Sequence, residues 1–145
     1  MTTPSDVRAL AGELSLAVVR LTRHLRGRRA DSPVSLTQLS ALATLARDGA
    51  MTPGQLAAKE RVQPPSMTRV IASLSDLKLV ERQPHPTDGR QIIVSLSASG
   101  MAVLADEASA REAWLSERLS GLPESQLAVL AEAIAVMNEI VTEAE

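Results

Sequence analysis

Arg90 closes the run Pro84-His85-Pro86-Thr87-Asp88-Gly89-Arg90, in which Asp-Gly signals a turn and the prolines keep the flanks from pairing with foreign strands. A guanidinium on so short a turn can enter a minor groove, whose width and negative potential attract it. Asp88 has two readings: a local ion pair that orients Arg90, or a turn residue only. Upstream, Ser66, Thr68, Arg69 and Ser73 fall on the helix face opposite Met67, Val70, Ile71, Leu74 and Leu77. That face is small, hydroxylated and singly basic, able to bond base edges and phosphates; a lone exposed arginine can equally be only solvated. Gln63, Pro64 and Pro65 shape the entry to this helix, because prolines can open a helix but not sit inside one.

Other chemistries lack their residues. The chain has no cysteine, which removes disulfides, thiolate metal sites and cysteine nucleophiles together. His24 and His85 are the only histidines and stand in no ligand-like spacing, and Asp106-Glu107 reads as a solvated pair in an early helical turn favoured by the dipole. No serine sits in a Gly-x-Ser-x-Gly elbow, and no glycine-rich loop follows a strand. The expectation is no enzyme, no cofactor and no metal. With one Trp and neither Phe nor Tyr, a stacking platform for single strands cannot be built, so duplex DNA is the natural nucleic-acid partner.

These groups need elements to hold them. Leu10, Leu14, Val18, Leu21 and Leu25 recur every three or four positions, predicting a long amphipathic helix from about Ser5 to Arg28 that Asp31-Ser32-Pro33 ends. Ser35 with Gln38 is a capping-box pair opening a second helix through Leu39, Leu42 and Leu45 to Gly49. Thr52-Pro53-Gly54-Gln55 repeats the device for a short third helix ending near Lys59, and the fourth starts at Pro64. Leu79-Val80 begins a strand, and Ile92, Val94 and Leu96 alternate as its returning partner. Two short helices, the second with hydrogen-bonding side chains near its start, followed by a hairpin, make a winged helix-turn-helix. Ser97 caps a fifth helix through Met101, Leu104, Ala108, Trp114, Leu115 and Leu119 to Gly121. Pro123 opens a sixth, whose Leu127, Leu130, Ile134, Met137 and Val141 form the stripe of a helix packed along another helix. The same stripe would also serve to complete a monomer core.

The net charge of −2 conceals a segregation. Residues 1–100 carry 13 Lys and Arg against 8 Asp and Glu, and residues 101–145 carry 2 against 9. A basic part for phosphates and an acidic part for another purpose fit that asymmetry, as does uneven solvation of helices. Arg20, Arg23, Arg26, Arg28 and Arg29 crowd ten positions. They make either an anion-facing patch or charge placed where a helix C-terminus favours it. No leader and no run of about 18 apolar residues is visible, so the expectation is a cytoplasmic chain without membrane contact.

The segment LSDLKLVERQPHPTDGRQIIVSLSASG resembles the one that identifies the MarR (multiple antibiotic resistance regulator) transcription factors. The resemblance rests on Leu79-Val80-Glu81-Arg82, Asp88-Gly89-Arg90, Val94-Ser95-Leu96 and Ser97 with Gly100, and the order of helices extends it over nearly the whole chain. Two departures stand out: Lys78 where glycine is common, and Gly89 where a basic residue is frequent.

The fold class expected is mainly α with a small β-hairpin wing: a winged helix-turn-helix lobe over residues 35–97, flanked by dimerisation helices over 5–30 and 98–145 of a single 1–145 chain. The function expected is a homodimeric, sequence-specific regulator on a palindromic operator, a repressor relieved by a small ligand. The alternative is a winged helix used as a protein-interaction module. DNA contacts are expected from Gln63, Pro64, Pro65, Ser66, Thr68, Arg69, Ser73, Asp88 and Arg90. Without cysteines or a metal cluster, sensing falls to a pocket for a small aromatic or apolar effector, uncharged or weakly acidic. The resemblance places such a pocket between dimerisation helices and winged lobe, with Arg20 and His24 for an anionic group and Trp114 as an aromatic wall. Taken singly, Trp114 can instead fill a dimer core and the basic pair be solvated.

Overall fold

The computed structural model describes residues 3–26, 28–29 and 31–142. The element order is α1 (Pro4–Leu25), α2 (Leu36–Asp48), α3 (Pro53–Glu60), α4 (Pro64–Asp76), β1 (Val80–Pro84), β2 (Ile92–Leu96), α5 (Ala98–Leu119) and α6 (Glu124–Thr142). This is the mainly α architecture with a hairpin wing that the sequence predicts. Two compact units divide the chain, residues 1–111 and 112–145. The outer ends of the two expected arms, residue 30 and residues 143–145, lie outside the described residues.

Three helices start on complete capping boxes. The Ser35 and Thr52 hydroxyls each accept the N–H three residues on at 3.2 Å, and Gln38 and Gln55 reach back to the cap N–H at 2.8 and 2.9 Å. Thr3 and Asp6 do the same for α1, one residue earlier than expected, and the Thr3 bonds hold the Asp6 carboxyl below its ordinary range. At its other end α1 stops at Leu25, short of Arg28, because Arg26 turns extended at φ −68° and ψ 137°.

The core lies within α2, α3, α4 and the hairpin. Leu42, Leu56, Met67, Leu74 and Val94 are fully buried there, each contributing about 1.5–3 kcal/mol by leaving water. The Ser40 and Thr44 hydroxyls of α2 both donate to Glu60 of α3, at 2.7 and 2.5 Å, fixing the angle at which the two helices meet. Arg47 and then Lys59 hold the Asp48 carboxyl below its ordinary range, with Lys59 Nζ 3.3 Å away across the same pair of helices.

The end of α4 corrects one expectation. Leu77 leaves the buried stripe and is 43% exposed, and Leu79 fills the core instead. Lys78 takes the left-handed conformation at φ 61°, its N–H donating to the Ser75 carbonyl at 3.0 Å, while the Leu79 N–H donates to the Leu74 carbonyl at 2.9 Å. That pair of bonds is a Schellman stop, and its left-handed residue is the position that favours glycine. Arg61, at φ 54°, ends α3 by the same pair: its N–H donates to Ala58, and that of Val62 to Ala57.

β1 and β2 pair antiparallel with Val80 opposite Leu96, Arg82 opposite Val94 and Pro84 opposite Ile92. Met51, between α2 and α3, bridges to Val94 through N–H···O bonds of 3.1 and 2.8 Å, so the base of the wing belongs to the helical core. Ser97 then fastens α5 to the same corner: its N–H donates to Leu79, its hydroxyl donates to the Lys78 carbonyl at 2.7 Å and accepts the Gly100 N–H at 3.0 Å. At Gly100 a side chain would strike the Leu79 carbonyl oxygen and lie 2.7 Å from Leu96 Cδ1.

This close approach sets the rotation of α5 and overturns part of its expected stripe. Gly100, Val103 and Glu107 face inward, whereas Met101 is 63% exposed and Ala108 is exposed too. Glu107, expected in solvent, is 2% exposed, and its Oε1 has no hydrogen-bond partner among the described residues. In the second unit no residue of α6 is buried, Leu127, Ile134 and Val141 of its stripe included. By length and composition α6 is apolar enough to cross a membrane, at a mean hydropathy of 1.3.

Candidate nucleic-acid interface

α4 opens without a side-chain cap, Gln63 being its extended N-cap residue. Pro64 and Pro65 have no N–H, and the Met67 N–H already bonds Gln63, so Ser66 carries the one amide of the first turn without a helical partner. Thr68 is exposed, and its hydroxyl donates to the Pro64 carbonyl at 3.0 Å. Arg69 is exposed and has no ion-pair partner among the described residues. Ser73 differs from the rest of the set: it is half-buried and accepts from Gln38 Nε2 at 2.6 Å, tying α4 to the start of α2. Gln38 thus serves two helices, a double use that its place in a capping box does not reveal.

The wing tip is built from local bonds. Asp88 accepts the Arg90 N–H at 3.1 Å and its Nε–H at 3.4 Å on the same Oδ1. Asp88 is therefore more than a turn residue: its carboxylate pairs with the guanidinium, while its backbone carbonyl accepts the Gln91 N–H at 3.0 Å and closes the turn. The Arg90 side chain is 93% exposed in spite of that pairing. His85, passed over in the sequence, accepts the Thr87 and Asp88 N–H groups on Nδ1 at 3.2 and 3.1 Å. The available signal was a side-chain acceptor two and three residues ahead of those amides, the spacing of an Asx turn.

Of the candidate sensing residues, Arg20 and His24 lie exposed on α1 in the first unit. Trp114 is half-buried in the second, with the Arg118 guanidinium 4.0 Å from its ring centroid. A cavity of about 280 Å³ lies beside Arg29, Ser35, Leu39 and Glu107, and a groove of about 430 Å³ runs past Arg26, Thr37, Ser40 and Arg111. Neither Arg20 nor His24 lines them. Arg29 pairs with Asp31 at 3.0 Å and with Asp106 at 3.3 Å.

A helix pair, an open hydrogen-bonding face on its second member and a hairpin with a projecting arginine define a winged helix-turn-helix transcriptional regulator. Residues 34–92, from the start of α2 into the wing, match the family model described as MarR family. An HTH-type transcriptional regulator of Mycobacterium bovis is 58% identical over 139 residues, 96% of each chain. A transcriptional regulator from Pseudomonas aeruginosa superposes with a TM-score of 0.80 at 33% identity, covering 96% of this chain and 97% of that one. A Thermotoga maritima regulator matches in fold, with a TM-score of 0.81 at 17% identity over 94% and 96% of the two chains. The chain belongs to the MarR family, and DNA-binding regulation of transcription is its class of function.

Proposed function

We propose that this chain acts as a homodimeric repressor on a palindromic operator, reading it with residues 35–97 and pairing through residues 5–30 and 98–145. The observation that carries the DNA part is Arg90, held by Asp88 yet almost wholly in solvent, on the hairpin that follows α4. Ser66, Thr68 and Arg69 are the base and phosphate contacts of α4, entered through Gln63, Pro64 and Pro65, with Ser73 holding the helix at its angle. Pairing is supported by apolar faces that the single chain leaves open: Leu10, Leu14, Val18 and Leu21 on α1, and Ile134, Ile140 and Val141 on α6. Burial of α6 against a second copy suits Glu132 and Glu139 better than a bilayer, where each carboxylate would be costly, and it agrees with a cytoplasmic site of action.

Relief by a small aromatic or apolar effector is the regulatory part of this reading, with Arg20, His24 and Trp114 as its candidate contacts. Such a ligand lowers operator affinity only by favouring the spacing of the two lobes that does not fit DNA, and DNA must lower ligand affinity in return. Selection of bound duplexes from a random pool tests the whole: a symmetric motif with two half-sites is expected, and an asymmetric or absent motif refutes it. Arg90→Ala is expected to weaken binding to the selected duplex with fold and pairing intact.

A further inference from the structure

We propose that His85 is a positioning residue for DNA binding: it locks the wing tip so that Asp88 can hold Arg90 in the attitude that meets the duplex. The inference rests on the wing as a DNA contact, and adds a residue that acts through two others. Pro84 and Pro86 flank the histidine, fixing φ on both sides and offering no N–H. The tip therefore has few donors with which to close itself, and His85 engages three of the six backbone N–H groups from His85 to Gln91. Its N–H donates to the Gln91 carbonyl at 3.1 Å, and its Nδ1 accepts from Thr87 N at 3.2 Å and Asp88 N at 3.1 Å, with the Thr87 hydroxyl at 3.3 Å.

An imidazole nitrogen that receives amide protons carries none itself, so these bonds assign the ring proton to Nε2. The ring thus does what an Asn or Asp oxygen does at the head of an Asx turn. With its amide so fixed, Asp88 turns Oδ1 to the Arg90 N–H and Nε–H, at 3.1 and 3.4 Å, and the outer nitrogens of the guanidinium remain for DNA. Without the ring the tip loses the bonds that hold the Thr87 and Asp88 amides, and Arg90 must be ordered by the duplex at the cost of its own conformational entropy.

The test compares the full-length parent with His85→Ala, His85→Asn, Arg90→Ala and the His85→Ala/Arg90→Ala double variant on duplexes selected by the parent. His85→Ala is expected to weaken binding by about threefold to tenfold, the range of one net hydrogen bond. His85→Asn should stay within about twofold of the parent, since its amide oxygen accepts the same two N–H groups. In the Arg90→Ala background, His85→Ala should add nothing, as expected of a residue acting through Arg90. Equal binding by His85→Ala and parent, no rescue by His85→Asn, or an undiminished loss in the double variant would each overturn the proposal. Nitrogen NMR of the free protein judges the lock without DNA. A ring proton on Nε2 and an Arg90 Nε–H whose slow exchange is lost in His85→Ala support it, and a proton on Nδ1 refutes it. If the parent selects no duplex, the DNA reading falls, and the NMR result still decides whether His85 holds Asp88 and Arg90.

Discussion

Gly89 sits at the wing tip without using a glycine's freedom: among the described residues Gly49 is the one glycine at positive φ, and the space where a Gly89 side chain would begin is open. Nothing steric therefore opposes the basic residue that the resemblance leads one to expect there. Gly89→Arg should tighten duplex binding severalfold at low salt and steepen the dependence of log K on log salt by roughly one unit, measured by titration at several salt concentrations. An unchanged slope would place the tip away from phosphates. The exposure of Arg90 and Arg69 was legible because turn chemistry and helix phase set it. Glu107 was not legible, since a charged pair in a helix gives no sign of which member turns inward. Among the described residues Oε1 is buried without a partner, so that oxygen bears a desolvation cost. Glu107→Met should raise the urea midpoint, by about 1–3 kcal/mol of stability, while Arg29 keeps Asp31 and Asp106. A lowered midpoint would mean that Oε1 has a partner in the working protein.

Among the elements, helix starts proved the most readable feature, because Ser35 with Gln38 and Thr52 with Gln55 are local codes for capping boxes. Helix stops were harder. The Schellman ends of α3 and α4 put Arg61 and Lys78 in a left-handed conformation that a glycine would have announced. Lys78→Gly should therefore stabilise the chain by about 1 kcal/mol in chemical denaturation, by removing the steric cost of a side chain at positive φ. The rotation of α5 was beyond periodicity altogether, since Met101, Leu104 and Ala108 make as good a stripe as Gly100, Val103 and Glu107. Backbone proximity decides it: α5 passes too close to Leu79 for any residue but glycine at position 100. Gly100→Ala should cost about 1–3 kcal/mol although it removes no contact, read as a fall in the thermal midpoint.

For the molecule as a whole, the largest apolar surfaces lie outside the core, along α1 and α6. If a second copy covers α1, Leu14→Glu with Val18→Glu should yield monomers in sedimentation and reduce operator affinity by far more than removal of one DNA contact, because two half-sites would no longer be bound together. Monomers that bind the operator as tightly as the parent would sink that expectation. The wing makes the opposite kind of surface. Its base is stitched to the core by Met51 and Val94, whereas the bonds from His85 to Gln91 close on the tip itself. Changes at the tip are thus nearly free of folding consequences. A lineage carrying this scaffold can follow a drifting operator, or part ways with a duplicate of itself, by exchanging tip residues one at a time, with selection acting on recognition and scarcely on survival of the fold.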